Sequence, residues 1–198
     1  MIATQPRPRP PRFGPAQKRW TVAEFHRVFA APDLKVERPY LVHGVIWEQG
    51  PMNAPHANAV DTANETLRAI FSAGYRVRVQ SALVFGLETD PQTDIAVVRG
   101  DLTTYKTKHP STAALVVEVS DTTLFEDSTT KAELYATAGI PEYWIIDLNA
   151  NVLKVLRDPQ PIAAGGVAHR TVLQYGPGDT VASLAEPERP IRIADLLP

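Results

Sequence analysis

The sequence predicts an α/β domain in which helices sandwich a mixed sheet. From residue 56 to residue 147 its patterns run helix, strand, strand, strand, helix, strand. The first two strands favour an antiparallel pair, whereas the final strand, helix and strand normally close as a right-handed parallel crossover. A length of 198 residues, 44% of them hydrophobic, fits one well-packed domain.

The charge distribution argues against a surface that is basic overall. Residues 1–19 carry five basic residues and no acidic one, so the 15 basic and 22 acidic residues that follow leave the body with a charge of −7. Proteins that bind nucleic acid usually present a basic surface. Any phosphate must therefore be attracted locally, through a metal ion or through the tail.

Composition also limits the compartment and the partners. The chain has no cysteine, which excludes disulfides and thiolate metal sites. No apolar stretch approaches membrane-spanning length, and the first residues lack the apolar core of a secretory signal. We expect a soluble, cytoplasmic protein with no membrane partner.

Three segments precede the predicted core. Residues 1–19 are rich in proline and arginine, which predicts a flexible tail that either solubilises the chain or contacts phosphate, and a single domain then spans residues 20–198. A capping box at Thr21 predicts a helix that stops near Pro32. Residues 40–48 alternate as one strand, with Tyr40 and Glu48 on the same face.

The core elements then follow in order. A helix is predicted from His56 to Ala73, ended by Gly74, with His56 on the inward face beside Val60. Strands are predicted at residues 75–86, 92–99, 114–120 and 142–147, and a second helix at residues 128–138. After residue 147 we expect short C-terminal β-hairpins.

Glu118 most needs an explanation, because it interrupts the apolar run from Leu115 to Ser120. Such a run is typical of a strand buried on both faces, where an unpaired carboxylate costs several kcal/mol. Glu118 therefore needs either a basic partner or a place among the ligands of a hard cation such as Mg²⁺.

Asp94 is a second acidic residue on a neighbouring predicted strand. It begins that strand just after a turn, and the alternation places it on the face of Ala96 and Val98. An aspartate in this position more often caps a turn than binds a metal. The nearby Glu118 makes a shared metal site a serious alternative.

Lys131 is the third element of a possible reactive site. It shares a helical stripe with Leu134 and Tyr135, so its ammonium group can reach the end of the Glu118 strand. It could form a simple ion pair with Glu118 or Asp127, or it could orient or deprotonate a water beside a metal-bound phosphate. Two carboxylates and a lysine suit phosphodiester hydrolysis, because the acids hold Mg²⁺ and the ion lowers the pKa of a bound water.

Several segments resemble the PD-(D/E)xK nucleases and, within them, the Uma-type (Uma two) family of restriction endonucleases. Between Trp20 and Leu197, in the order and spacing of that family, they are WTVAEF, GVIWEQGPMNAPHANAV, VQSALVF, QTDIAVV, LVVEVSDTT and KAELYATAGIPEYWIID. The resemblance implies a restriction-endonuclease-like αβββαβ core with an added N-terminal helix and strand and C-terminal β-hairpins. It also implies a Mg²⁺- or Mn²⁺-dependent endonuclease acting on nucleic acid, with DNA as the expected substrate.

The resemblance also suggests the role of each catalytic residue. Asp94 matches the first acid of the motif and Glu118 the second. Ser120 stands where the motif has its lysine, and a serine cannot perform that role. The Uma-type pattern resembles a version in which the lysine lies on the following helix, where Lys131 is the matching position.

Further candidates come from the same resemblance. Glu48 is either a third metal ligand or an exposed acid at a strand end. His56 either contacts phosphate or water near the metal or caps the start of its helix. Gln80 and Ser120 are candidate substrate contacts.

Two other functions stay open alongside the endonuclease. One is an inactive nuclease-fold protein that serves as a binding or structural module and uses Glu118 and Lys131 as a buried ion pair; the acidic body favours it. The other is a hydrolase of another phosphate ester. Cleavage of both strands of a duplex would be easiest for a symmetric homodimer.

Overall fold

The computed structural model describes residues 16–31 and 33–198 and has the predicted αβββαβ core. Its elements in chain order are α1 (Val22–Phe29), β1 (Pro39–Val42), β2 (Val45–Glu48), α2 (Ala54–Ile70), β3 (Tyr75–Ala82), β4 (Gln92–Arg99), β5 (Leu115–Ser120), α3 (Leu124–Glu126), a π-helical segment (Asp127–Lys131), α4 (Ala132–Thr137), β6 (Glu142–Asp147), β7 (Val152–Pro161), β8 (Val167–Tyr175), β9 (Thr180–Val181), β10 (Ile191–Arg192) and a 3₁₀ turn (Ile193–Asp195). Most of the predicted tail, residues 1–19, lies outside the described residues, and its flexibility stays a prediction.

The central sheet is mixed, as predicted. Its strands lie in the order β3-β4-β5-β6-β7-β8. Neighbours pair antiparallel except β5 and β6, which pair parallel because a helical crossover joins them. The predicted strand-helix-strand unit is confirmed, and β7 and β8 extend the main sheet rather than forming a separate hairpin.

Helices cover both faces of this sheet, which explains why β5 is buried along its whole length. Leu115 and Val117 belong to the core that includes α2, whereas Val116 belongs to the core that includes α4. Because side chains alternate along a strand, Glu118 follows Val116 onto the α4 face. None of the helices in the described ranges combines the length and apolar character of a membrane span.

The predicted single strand over residues 40–48 is wrong, because the chain forms a hairpin there. β1 and β2 pair antiparallel around His43 and Gly44, whose φ angles are 48° and 73°. Positive φ at both central residues is the geometry of a tight hairpin turn. Tyr40 consequently stands opposite Trp47, and Glu48 does not share the Tyr40 face.

Helix boundaries also differ from the predictions. α2 begins two residues earlier than predicted, with Pro55 in its first turn, and ends at Ile70 rather than Ala73. The second predicted helix begins at Leu124 and passes through a π-helical segment before α4. π-helical turns often occur at functional sites, and this one ends at Lys131.

Candidate functional site

The candidate site lies where β4 and β5 stop pairing. The last pair in their register is Ile95 with Val117, and the next would be Asp94 with Glu118. Here the carboxylates bond to the facing backbone instead. The N–H of Val119 donates to Asp94 Oδ2 at 2.9 Å, and the N–H of Asp94 donates to Glu118 Oε2 at 3.3 Å. Both acids are therefore fixed at the strand ends, with Asp94 3% and Glu118 0% exposed.

Lys131 reaches Glu118 from the following helix. Its Nζ lies 3.2 Å from Glu118 Oε2 and 2.9 Å from Asp127 Oδ1. The hydroxyl of Tyr135 donates to Glu118 Oε1 at 2.5 Å. Donors thus contact both oxygens of Glu118, and the lysine that the sequence predicted is at the site.

Asp127 adds a third buried carboxylate. It is 0% exposed, and its Oδ2 accepts a hydrogen bond from Thr123 Oγ1 at 2.6 Å. The hydroxyl of Tyr143 donates to the Asp127 carbonyl at 3.0 Å, which anchors the π-helical segment to β6. Glu118 and Asp127 therefore share one lysine, and the Asp94 carboxylate lies next to Glu118 on the neighbouring strand.

His56 enters the site from the first turn of α2. Its Nε2 lies 3.2 Å from Asp94 Oδ2. Asn53 caps this helix, because its side-chain oxygen accepts a hydrogen bond from the His56 N–H at 2.9 Å. The side-chain nitrogen of Asn53 donates to Asp121 Oδ2 at 2.6 Å. The alternative in which His56 itself caps the helix is therefore wrong.

The charges of these groups follow from burial and contact. Burial raises the pKa of Glu118 to about 8, against the opposing effect of Lys131. Burial also acts to raise the pKa of Asp94, but the contact with His56 outweighs it and leaves the pKa of Asp94 below its ordinary value, while the pKa of His56 rises. Burial acts to lower the pKa of Lys131, but Glu118 and Asp127 reverse that effect and raise it. The raised pKa of Glu118 favours its protonated form, whereas the lowered pKa of Asp94 favours its anion and the raised pKa of Lys131 favours its cation.

A cavity of about 130 Å³ opens beside these groups and is lined by Asp94, His56, Val119 and Lys131, among others. We call it the Asp94 cavity. In the described ranges, no hydrogen bond or ion pair reaches Asp94 Oδ1. The Asp94 cavity therefore presents a carboxylate oxygen, a lysine and a histidine to any molecule that enters.

Two predicted residues lie farther from this group. Glu48 is exposed and lines a neighbouring cavity, where its Oε1 accepts a hydrogen bond from the Glu37 N–H at 3.1 Å. Gln80 occupies the position that the β3–β4 register skips opposite Asp94, but its Nε2 points to Met52 Sδ at 3.4 Å. The structure brings neither side chain to Asp94 and Glu118, and their roles stay predictions.

Ser120 is placed differently again. It is 0% exposed and pairs with Asp147 across β5 and β6. Its Oγ is buried without a hydrogen-bond partner in the part of the chain that the structure describes. The predicted substrate contact of Ser120 is untested, and its hydroxyl does not line the Asp94 cavity.

A protein-family model described as "Putative restriction endonuclease" and named Uma2 matches residues 22–185. The chain belongs to the Uma2 family. Among curated proteins, none matches it. A solved structure, described as that of a putative nuclease belonging to DUF820 from Anabaena variabilis ATCC 29413, is 15% identical and superposes with a TM-score of 0.66 over 89% of this chain and 96% of that chain. At this identity the likeness shows the fold, and family and fold together support a nuclease.

The donor atoms of this Uma2 family member fit a hard cation. Within residues 16–31 and 33–198, no three histidine or acidic side chains cluster as a metal site. Mg²⁺, however, usually binds through one or two carboxylates and completes its shell with waters and substrate phosphate. Asp94 supplies one available oxygen, and Glu118 can supply another where it exchanges a contact with Lys131 or Tyr135.

Sequence reasoning missed two supports of this Uma2 site. Tyr135 was recognised as part of the Lys131 stripe but not as a donor to Glu118, although its position one turn after Lys131 was a usable signal. Asn53 was missed as the cap of α2, although it stands at the start of Asn53-Ala54-Pro55, a typical helix start.

Proposed function

We propose that this Uma2 family member is a Mg²⁺- or Mn²⁺-dependent endonuclease that hydrolyses phosphodiester bonds in DNA. The observation that carries the proposal is the pair of buried carboxylates, Glu118 and Asp127, in contact with one lysine, next to a cavity that Asp94 and Lys131 line together. Membership of a restriction endonuclease family and a nuclease-like fold support it.

Each residue of the site has a role in this proposal. Asp94 and Glu118 are the metal ligands, and the ion, when bound, would lower the pKa of a coordinated water and offset charge on the phosphate. Lys131 orients the attacking water from its position between Glu118 and the Asp94 cavity. His56 holds the Asp94 carboxylate in place through the contact between its Nε2 and Asp94 Oδ2.

An inactive binding or structural module is the second candidate, and one observation favours it. The 3.2 Å contact between Lys131 and Glu118 is the buried ion pair that such a module would use. An isolated ion pair does not require Asp94 and Asp127 as well, since each further buried carboxylate adds a desolvation cost. We therefore place the endonuclease first.

A cleavage assay tests the proposal. Purified protein is incubated with single- and double-stranded DNA and RNA in the presence of Mg²⁺, Mn²⁺ or a chelator. We expect metal-dependent cleavage of DNA, lost in Asp94→Asn and reduced about 10²- to 10⁴-fold in Lys131→Met, the range typical of a group that positions or transfers a proton. Asp61→Asn, an exposed acid on α2, is the matched control and should retain activity.

The proposal is contradicted if neither metal activates cleavage of any of the four substrates. Lys131 is removed from the mechanism if Lys131→Met cleaves at the wild-type rate. A cytoplasmic location and a homodimer that cuts both strands of a duplex also belong to the proposal.

A further inference from the structure

We propose that the cavity lined by Trp47 binds one unpaired nucleobase of the substrate, next to the phosphate that is cleaved. This inference rests on the proposed nuclease function. The Trp47 cavity has a volume of about 200 Å³ and shares Lys131, Thr123, Gln49 and Gly50 with the Asp94 cavity. A nucleotide whose phosphate lies beside Lys131 therefore has its base within reach of the Trp47 cavity.

Aromatic and apolar side chains form much of this cavity. Tyr40 and Trp47 stand opposite each other on the β1–β2 hairpin, so both rings project from the same face. In the described part of the chain, these two rings do not form an aromatic pair with each other. The Trp47 side chain is 51% exposed. Val42 and Leu134 add apolar surface. Exposed aromatic rings beside an apolar cavity are the surface on which unstacked bases bind.

The charge of the lining favours a base over a phosphate. Glu48 and Glu126 line the Trp47 cavity, and the basic residue among its lining is Lys131, which it shares with the Asp94 cavity. Carboxylates repel phosphate but accept hydrogen bonds from the exocyclic amino groups of adenine, cytosine and guanine. Thymine has no such amino group, so the Trp47 cavity should bind it more weakly.

The geometry also restricts the strand that is cut. A base within a duplex is stacked and paired, and it cannot enter a side cavity without leaving the helix. The nucleotide beside the cut must therefore be unpaired, either within a single strand or flipped out of a duplex. This requirement suits a body with a charge of −7, because an unpaired nucleotide is recognised through its base rather than through a long phosphate track.

A binding experiment without metal tests the inference separately from catalysis. Binding of dAMP, dCMP, dTMP and 2-deoxyribose 5-phosphate to the full chain is measured by calorimetry in the presence of a chelator. We expect dAMP and dCMP to bind at least about tenfold more tightly than 2-deoxyribose 5-phosphate, as base stacking on an aromatic ring implies. We also expect dTMP to bind more weakly than dCMP.

Variants attribute the effect to the Trp47 cavity. Trp47→Ala should abolish the difference between dAMP and 2-deoxyribose 5-phosphate, whereas Trp47→Phe, which keeps a ring, should retain it. Phe125→Ala is the matched control, because Phe125 is 82% exposed and lines neither cavity. Thermal unfolding verifies that each variant is folded.

The outcomes separate the two proposals. Equal binding of dAMP and 2-deoxyribose 5-phosphate, or a Trp47→Ala variant that binds as the wild type does, overturns the nucleobase site even where metal-dependent cleavage is observed. Equal binding of dCMP and dTMP overturns the role given to Glu48 and Glu126. Base binding without cleavage under any metal keeps the nucleobase site and overturns the nuclease.

Discussion

Glu118 shows how one side chain can serve both stability and function. The Glu118 side chain is 0% exposed, so water cannot solvate its oxygens. Donors from Lys131, Tyr135 and the backbone of Asp94 contact these oxygens instead. Lys131 lines the Asp94 cavity, so its ammonium group can turn to water or substrate when a cation takes the Glu118 oxygen. Burial makes the Glu118 anion costly, and these donors offset part of that cost.

The raised pKa of Glu118 makes the folding stability depend on pH. The pKa of Glu118 rises from 4.5 to about 8 in the folded protein, so between these values the folded state binds a proton that the unfolded chain releases. The stability that this proton contributes is complete below about pH 4.5 and is lost as pH rises through about 8. The raised pKa of His56 acts in the same direction, whereas the lowered pKa of Asp94 acts at lower pH. Wild type should therefore lose stability between about pH 5 and about pH 8.5.

Glu118→Gln tests this dependence. The amide is uncharged at every pH, so the variant should lose less stability over this range than wild type does. The difference between the two losses should exceed about 1.4 kcal/mol, the equivalent of one pKa unit. The measurement is urea unfolding with a chelator present. Glu126→Gln replaces an exposed acid on the adjacent helix and should keep the wild-type slope. A Glu118→Gln variant with that same slope would show that Glu118 is ionised in the folded protein at neutral pH.

At the scale of elements, the start of α2 links the helix to the site. Asn53 holds the N–H of His56 and the side chain of Asp121, which follows β5. Helix α2 is thereby fixed against the strand that carries Glu118, and His56 is directed at Asp94. The cap therefore positions a site residue as well as starting a helix.

Removing this cap should have two separable effects. Asn53→Ala should lower the free energy of unfolding by about 1 kcal/mol, the usual value of a lost N-cap. It should also lower cleavage activity, since His56 is less well held. Asn58→Ala, at an exposed position in the same helix, should leave both quantities unchanged or slightly raise stability, because alanine favours a helix interior. Equal stabilities of the Asn53→Ala variant and wild type would show that the Asn53 cap does not stabilise α2.

The sequence predicted best the elements that have a simple pattern. β4, β5 and β6 were predicted within one residue because their apolar runs are bounded by turn residues. The β1–β2 hairpin was missed because His43-Gly44 is not one of the usual two-residue turn signals, such as Asn-Gly or Asp-Gly, and the alternation continues across the turn. The start at Leu124 was missed because a π-helical segment shifts the helical period.

The candidate site was predictable to a similar degree. The sequence pointed to Glu118 through its apolar strand, to Asp94 through its place on a neighbouring strand and to Lys131 through its helical stripe. The family resemblance supported these three positions, and the structure brings them together with His56. It did not indicate that Glu48 lines the neighbouring cavity, since that location depends on the hairpin. Contacts made through a turn between two strands cannot be read from the periodicity of either strand.

At the scale of the whole molecule, both cavities lie at the same end of the central sheet, whose two faces are covered by helices. Helix α2 covers one face and α4 the other, and His56 from α2 and Lys131 from the π-helical segment before α4 meet the acids where β4 and β5 separate. Water and substrate can reach the buried acids through the Asp94 cavity at this end. Binding of a cation there should be detectable in the stability of the entire fold, because the metal contacts exist only in the folded state.

Metal titration distinguishes an active site from a buried ion pair at this scale. At a metal concentration a hundredfold above the dissociation constant, binding stabilises the folded state by about 2.7 kcal/mol. For a chain of this length, that corresponds to a rise in Tm of roughly 5 to 10 °C. We expect this rise for wild type and Asp61→Asn in Mg²⁺ or Mn²⁺, relative to KCl of equal ionic strength, and none for Asp94→Asn.

The size of this shift should also depend on pH, because a carboxylate that binds metal must first lose its proton. Since the pKa of Glu118 is raised to about 8, metal should stabilise the protein more at about pH 8 than at about pH 6. An ion-pair module predicts no shift at either pH. If wild type and Asp94→Asn respond equally to metal, the cation binds elsewhere, and Lys131 with its partners Glu118 and Asp127 would then be a structural cluster.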